Sequence, residues 1–385
     1  MKSWQIIYMW LLIAILPTRA FTQATLEKEI YSGALKEKRK LWISLPEHYS
    51  LRKDSFHLVF VLDGNNKTFF DLTVASKRFL EANAVDLNDF NTPEAIIVGI
   101  GQKNRATDFV DSAADFLKFL SDELIPFVTK TYRTKPYTIL IGHSLAGRFA
   151  IYSMIKKPKL FNAIITASPA YSSKFINAID YSLDSLFNVN NFPDRSWFLS
   201  TSYLNNDNTE KQFRPFAEAM RSYFTNKDYR NLRFAFNSSA TLGHAKTPYF
   251  SITEGLHFIY DPSVWYLSTD TITSIFKEKT NSAQYLERYS QRIYQRFGVS
   301  PSLERWTGFI AFQLTNQNKI DEAKTVLKKQ LDLNPTNLDL YFQLLDLMKK
   351  SNDKGLLKEK NNFVKTLKAM KLPKEEYDLW ISKGK

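Results

Sequence analysis

The sequence predicts an α/β fold: a mostly parallel central sheet covered by helices on both faces, followed by a small all-helical C-terminal domain. Three observations carry this. Short apolar runs rich in β-branched residues recur through the first 260 residues, and helical patterns separate them. Several of these runs are continuously apolar, as expected for strands buried on both faces of a parallel sheet. After about residue 265 the strand-like runs stop and only helical spacing remains.

Taken in order, residues 27–32 read as a first strand closed by Gly33, and residues 40–46 as a second stopped by Pro46. Residues 56–62 (FHLVFVL) form a central strand that runs into the turn formers Asp63-Gly64-Asn65-Asn66. Residues 68–84 suit a helix, and 94–101 another buried strand. Residues 113–131 carry Phe116, Leu117, Leu120, Leu124 and Val128 at helical spacing despite Pro126. Strands follow at 161–169, 197–202 and 232–237, with a helix over 213–224 between the last two. Beyond residue 285, stretches 306–314, 320–331, 338–349 and 354–370 read as helices. Within them Asp321-Glu322-Ala323, Leu327 and Asn334-Pro335 resemble half of a tetratricopeptide repeat.

One stretch stands apart: residues 137–155, YTILIGHSLAGRFAIYSMI. An apolar strand, a small-residue turn around Ser144 and an apolar helix form the context of a nucleophile elbow. The turn departs from G-x-S-x-G at Ala146, with Gly147 one place later. A serine at a helix N-terminus is otherwise a cap.

Bulk properties narrow the class. The chain has 385 residues, 44% apolar and 24% charged, and no cysteine. Disulfides, thiolate metal sites and a cysteine nucleophile are excluded. Lys2, an apolar core over 6–16, Pro17 and the small residues around Ala20 and Ala24 resemble a secretory signal peptide, so the protein is expected to be exported, periplasmic or secreted. The apolar core is too short for a stable membrane span. The net charge is +13, of which Lys2 and Arg19 supply two. The remaining lysines are dispersed rather than interleaved with aromatics, so no nucleic-acid partner is expected.

A serine needs a base, and the base an orienting acid. Of five histidines, His48, His57 and His257 sit in structural contexts, and His143 adjoins Ser144 in the backbone. His244 follows a late strand in a small-residue loop, downstream of the serine as the hydrolase order Ser…Asp/Glu…His requires. The acid belongs after strand 197–202, where Asp207 is the first choice and Glu210 the alternative. The oxyanion donors are expected to be the N–H of Leu145 and that of Gly64 or Asn65. No metal or organic cofactor is required.

An ordered set of motifs extends the reading. Leu45-Pro46 with Tyr49, Leu62-Asp63-Gly64, Val98-Gly99-Ile100 followed by Arg105 and Asp108, Glu123-Leu124-Ile125-Pro126, Gly142-His143-Ser144, Ser168-Pro169, and Gly243-His244 with Pro248, Ser251 and Gly255-Leu256 resemble the "putative esterase" branch of the α/β-hydrolases. That branch includes enterobactin (ferric siderophore) esterases and esterase D-like enzymes. The resemblance runs from about residue 35 to residue 260. It implies Ser144 as nucleophile and His244 as base, and it places Arg105 and Asp108 near the site. Arg105 and His143 are expected to touch substrate. Some relatives also carry a helical tail.

The expected organisation is a signal peptide over 1–24, an esterase domain of α/β-hydrolase fold over 25–265 and a tetratricopeptide-like helical region over 285–385. The expected activity is hydrolysis of a small-molecule carboxylic ester through an acyl-enzyme. The alternatives are an acyltransferase built on the same residues and a non-catalytic scaffold whose C-terminal helices bind a protein partner.

Overall fold

Eight strands pair into one sheet in the order β1-β2-β4-β3-β5-β6-β7-β8. The computed structural model describes residues 25–81, 92–187, 194–227, 229, 231–261, 265, 290–291, 293–295, 297 and 304–383. The signal-like segment 1–24 lies outside them. The strands are β1 (Leu26–Ser32), β2 (Glu37–Ser44), β3 (Phe56–Val61), β4 (Ala95–Ile100), β5 (Thr134–His143), β6 (Ala163–Ala167), β7 (Arg195–Ser202) and β8 (Leu232–Ser239). β1 and β2 are antiparallel to each other, and β2 is antiparallel to β4. Every pairing from β4 to β8 is parallel. The chain crosses from β3 outward to β4 and returns to β5 on the other side of β3. Ligands of such sheets bind at the carboxyl ends of strands where the order reverses. The Asp63 loop and Ser144 both lie there.

The helices of this part are α1 (Lys67–Glu81), α2 (Ala113–Lys118), α3 (Ile125–Thr131), α4 (Leu145–Lys156), α5 (Ile176–Phe187), α6 (Asn208–Thr225) and α7 (Thr247–Ile259). α2 and α3 are the single helix expected over 113–131, interrupted by a π-helical turn over Phe119–Leu124. The turn sets Pro126 at the start of a new α-helical segment, where its missing N–H is tolerated.

Side chains alternate across each strand, so the apolar runs fill two separate cores. Val59, Val61, Ile97, Ile139 and Ile141 face one side, under α1 and α7. Leu58, Phe60, Ile96, Val98 and Leu140 face the other, under α2, α4, α5 and α6. This two-sided burial is why the runs read as continuously apolar.

Five further helices follow: α8 (Glu304–Asn316), α9 (Ile320–Leu333), α10 (Leu338–Lys350), α11 (Leu356–Met370) and α12 (Lys374–Lys383). The first three each pack on the next in sequence. They share the first apolar core with the sheet, through Tyr137, Tyr260, Trp265, Phe297 and Trp306. Trp265 stacks on Phe297 with ring centroids 4.5 Å apart, and meets the Tyr137 ring edge-on at 5.0 Å. The Lys53 N–H donates to the Leu333 carbonyl at 2.8 Å. Lys53 lies just before β3, and His57 and Tyr137 lie toward the amino ends of β3 and β5, so the tail docks at the end of the sheet opposite Ser144. Sequence reading found α8–α11 but not α12 or α5.

Candidate active site

Ser144 is the single residue between β5 and α4, and its backbone is held at φ 59°, ψ −119°. A positive φ at a non-glycine is strained, and it persists only where the surroundings over-determine it. Here the Ser144 N–H donates to the Ala167 carbonyl at 2.9 Å, and the Ser144 carbonyl accepts from Ala170 at 3.0 Å. The close approach of strand and helix falls on Gly142: a Cβ there would sit 2.4 Å from the Ala146 carbonyl oxygen. Gly147 faces Pro169, where a Cβ would come within 3.2 Å. Ala146 itself is fully buried in the second core. The departure from G-x-S-x-G is therefore accommodated: glycine is needed at 142, the fit at 147 is tight, and a methyl fits at 146. Gly142→Ala is expected to destabilise the fold by about 1–3 kcal/mol through overpacking and to depress turnover. Ala146→Gly should cost only about 1 kcal/mol, from helix propensity. Thermal midpoints and kcat of the two variants check the contrast.

His244 opens a short 3₁₀ turn after β8. Its Nδ1 lies 2.8 Å from Glu210 Oε1. Glu210 is completely buried in the first turn of α6. Its other oxygen accepts from the Ser202 N–H and the Thr201 hydroxyl, each at 2.9 Å. Burial alone pushes the Glu210 carboxyl up, but the bonds from His244, Ser202 and Thr201 outweigh it and hold the group below the usual glutamate value. Asp207, the first choice from sequence, does not face the imidazole. It is the N-cap of α6: one oxygen accepts from the Glu210 N–H at 3.0 Å and the other from the His244 backbone N–H at 2.6 Å. Both candidates stand in one loop, next to His244. What separates them is the helix start, which turns Glu210 inward and spends Asp207 on main-chain donors. Asp-x-x-Glu is the spacing of a helix cap with an acid at its third position, and that was the signal available in the sequence.

His143 lies beside His244, ring centroids 4.6 Å apart, with its Nε2 2.9 Å from the His244 carbonyl. Burial first, and then the neighbouring His244, pull the His143 pKa down to about 3, so the ring is neutral. It lines the cleft, and one ring nitrogen is committed to the His244 loop.

The oxyanion donors sort in the same way. Leu145 is the first residue of α4, where the N–H has no intrahelical partner. Gly64 does not fit the role expected of it, because its N–H donates to the Ile100 carbonyl at 2.8 Å. Among the described residues the N–H groups of Asn65 and Leu145 have no such partner. Asp63 just before them sits at φ 60° with a buried carboxylate. Arg105 donates to Asp63 through Nε at 2.8 Å and Nη2 at 3.0 Å, and Nη2 also reaches the His143 carbonyl at 3.0 Å. Arg105 thus ties the Asp63–Asn65 loop to the residue before Ser144. Asp108, grouped with it by sequence, makes a buried bidentate pair with Arg39 instead, both contacts at 2.6 Å.

A cleft of about 780 Å³ opens beside the elbow; Asp63, Asn65, Arg105 and His143 line it, whereas Ser144 and His244 are not part of its lining. Phe69, Leu72, Leu242, Pro248 and Tyr249 give it apolar walls, and its polar lining includes Asn65, Gln102, Arg105, His143 and Lys246. Such a space accepts a drug-sized molecule with an apolar body.

A family model described as "Putative esterase" matches residues 32–232, just over half of the chain. Among solved structures, an IroE-like serine hydrolase from Shewanella oneidensis superimposes with a TM-score of 0.62 at 19% identity, over 79% of this chain and 98% of that one. An uncharacterised protein from Capnocytophaga ochracea gives 0.60 at 19% identity and covers 94% of this chain and 98% of its own, helical tail included. The siderophore hydrolase EstA from Aspergillus nidulans gives 0.52 at 17% identity over 62% and 95%. At these identities the structures establish an α/β-hydrolase-like fold.

Proposed function

From the premise that the chain belongs to the "Putative esterase" family, we propose that it is a serine esterase whose triad is Ser144, His244 and Glu210. The observation that carries this is the contact between His244 Nδ1 and the buried Glu210 carboxylate at 2.8 Å, in the loop that adjoins the Ser144 elbow. Glu210 accepts a hydrogen bond from Nδ1–H, which keeps the ring proton there and leaves Nε2 bare to take a proton from the serine hydroxyl. Ser144 Oγ attacks the ester carbonyl, and the N–H groups of Leu145 and Asn65 receive the oxyanion. His244 then protonates the departing alkoxide, which leaves an acyl group on Ser144. A water deprotonated by His244 releases the acid and restores the serine. The amphiphilic cleft supports a carboxylic ester with an apolar portion as substrate.

Ser144→Ala is expected to lower kcat on a p-nitrophenyl acyl ester by about 10⁵–10⁶-fold, and a fluorophosphonate should label the wild-type chain at Ser144 alone. Full activity in Ser144→Ala sinks the reading.

The segment 1–24, with Lys2, its apolar core and small residues near Ala20, supports export to the periplasm or medium. N-terminal sequencing of protein recovered outside the cytoplasm should begin between residues 20 and 26. A chain that keeps Met1 in the cytoplasmic fraction contradicts it.

A further inference from the structure

We propose that His143 and Asp207 form a clamp on the main chain of the catalytic base: they position His244 through its backbone while Glu210 acts on its side chain. The inference rests on the triad reading above. His244 is gripped at both ends of its own residue. Its N–H donates to Asp207 Oδ2 at 2.6 Å, and its carbonyl lies 2.9 Å from His143 Nε2. The Thr247 hydroxyl donates to the same carbonyl at 2.9 Å. Because a carbonyl only accepts, His143 must carry its proton on Nε2, so it is the donor of this contact.

The two jaws connect the base to the other two members of the triad. His143 is the residue immediately before Ser144, and its own carbonyl is held by Arg105 at 3.0 Å. Any shift of the nucleophile strand therefore carries the base loop with it. Asp207 uses its second oxygen to accept from the Glu210 N–H at 3.0 Å, at the start of the helix that carries the acid. One carboxylate thus fixes the distance between the base's backbone and the acid's backbone. The approach is close: a Cβ on Gly243 would fall 2.7 Å from Asp207 Oδ2 and would displace that carboxylate. A base displaced by about 1 Å from its partner loses roughly 100-fold in rate, so two main-chain anchors have a catalytic consequence without touching substrate chemistry.

The test uses the full chain and p-nitrophenyl acetate, with thermal melts to verify folding. His143→Phe keeps the ring and removes the donor; it should lower kcat by about 10–100-fold and leave KM within about twofold. His143→Gln, whose amide can still donate to the carbonyl, should recover most of the loss. Asp207→Ala should lower kcat by about tenfold. It should leave KM within about twofold. The charged and titratable groups facing this pair are His244, Glu210 and Arg105. Should His143→Phe melt at assay temperature, His143→Asn, too short to reach the carbonyl, gives the same reading. A raised KM with unchanged kcat in the His143 variants would make that residue a substrate contact and overturn the clamp. Wild-type kcat in Asp207→Ala would do the same. Either result alongside an inactive Ser144→Ala removes the clamp alone, whereas an active Ser144→Ala removes the triad reading itself.

Discussion

Glu210→Gln is expected to lower kcat on a small acyl ester by about 10³–10⁴-fold, with KM little changed and the fold intact. The amide oxygen can still accept from the Ser202 N–H and the Thr201 hydroxyl, which are the two bonds that fix the side chain in the core. The amide nitrogen then faces His244 Nδ1. As a donor it requires Nδ1 to accept, which forces the ring proton onto Nε2. That tautomer cannot take the serine proton. Asp207→Asn leaves the imidazole's own partner in place and should cost far less. If Asp207→Asn is the more damaging of the two, the acid has been misassigned. Acid titration offers a second check. The folded Glu210 pKa lies below its usual value, so on acidification the unfolded chain binds this proton first. The group's stabilisation is complete above the ordinary glutamate range and is lost as pH falls through the lowered folded value. Glu210→Gln should flatten that part of the stability–pH curve, as measured by urea midpoints between pH 3 and 6.

The legible parts of this protein were those in which local pattern and tertiary demand coincide. Strands buried on both faces appear as unbroken apolar runs, so β3, β4 and the core of β5 could be placed to within a few residues. The elbow was legible because a strand, a serine among small residues and a helix are contiguous in sequence. His244, the base of the triad proposed above, was reached through chain order. The acid could not be settled the same way, since Asp207 and Glu210 are three residues apart in one loop. Only the pitch of α6 decides which carboxylate turns inward. Gly64 shows a related limit: a turn former at a strand end looks like an oxyanion donor until its N–H is seen bonded to Ile100 on the neighbouring strand. Arg105 and Asp108 are close in sequence, yet they pair with Asp63 and Arg39, partners 42 and 69 positions away. Long-range ion pairs leave no periodic trace.

Deleting the helical tail is expected to damage the whole protein rather than to release an independent esterase. Trp306, Ile310, Leu327 and Leu344 are each no more than 5% exposed, and they belong to the same apolar cluster as Val59, Ile139 and Tyr137 of the sheet. Burying each such side chain is worth roughly 1.5–3 kcal/mol, against a typical net stability of only about 5–15 kcal/mol. A chain ending at residue 303 should therefore be insoluble, or melt at least about 10 °C below the full chain. The Ser144 site lies at the carboxyl ends of the strands and the tail at their amino ends. Any soluble truncated protein should accordingly still react with a fluorophosphonate at low temperature. Leu344→Ala tests the coupling without truncation. It should cost about 2–5 kcal/mol and shift one single unfolding transition, followed together by near-ultraviolet signal and by loss of esterase activity. Two separate transitions, with activity surviving the first, would mean that the tail is a domain in its own right. The shared core would then be a docking contact rather than part of one cooperative unit.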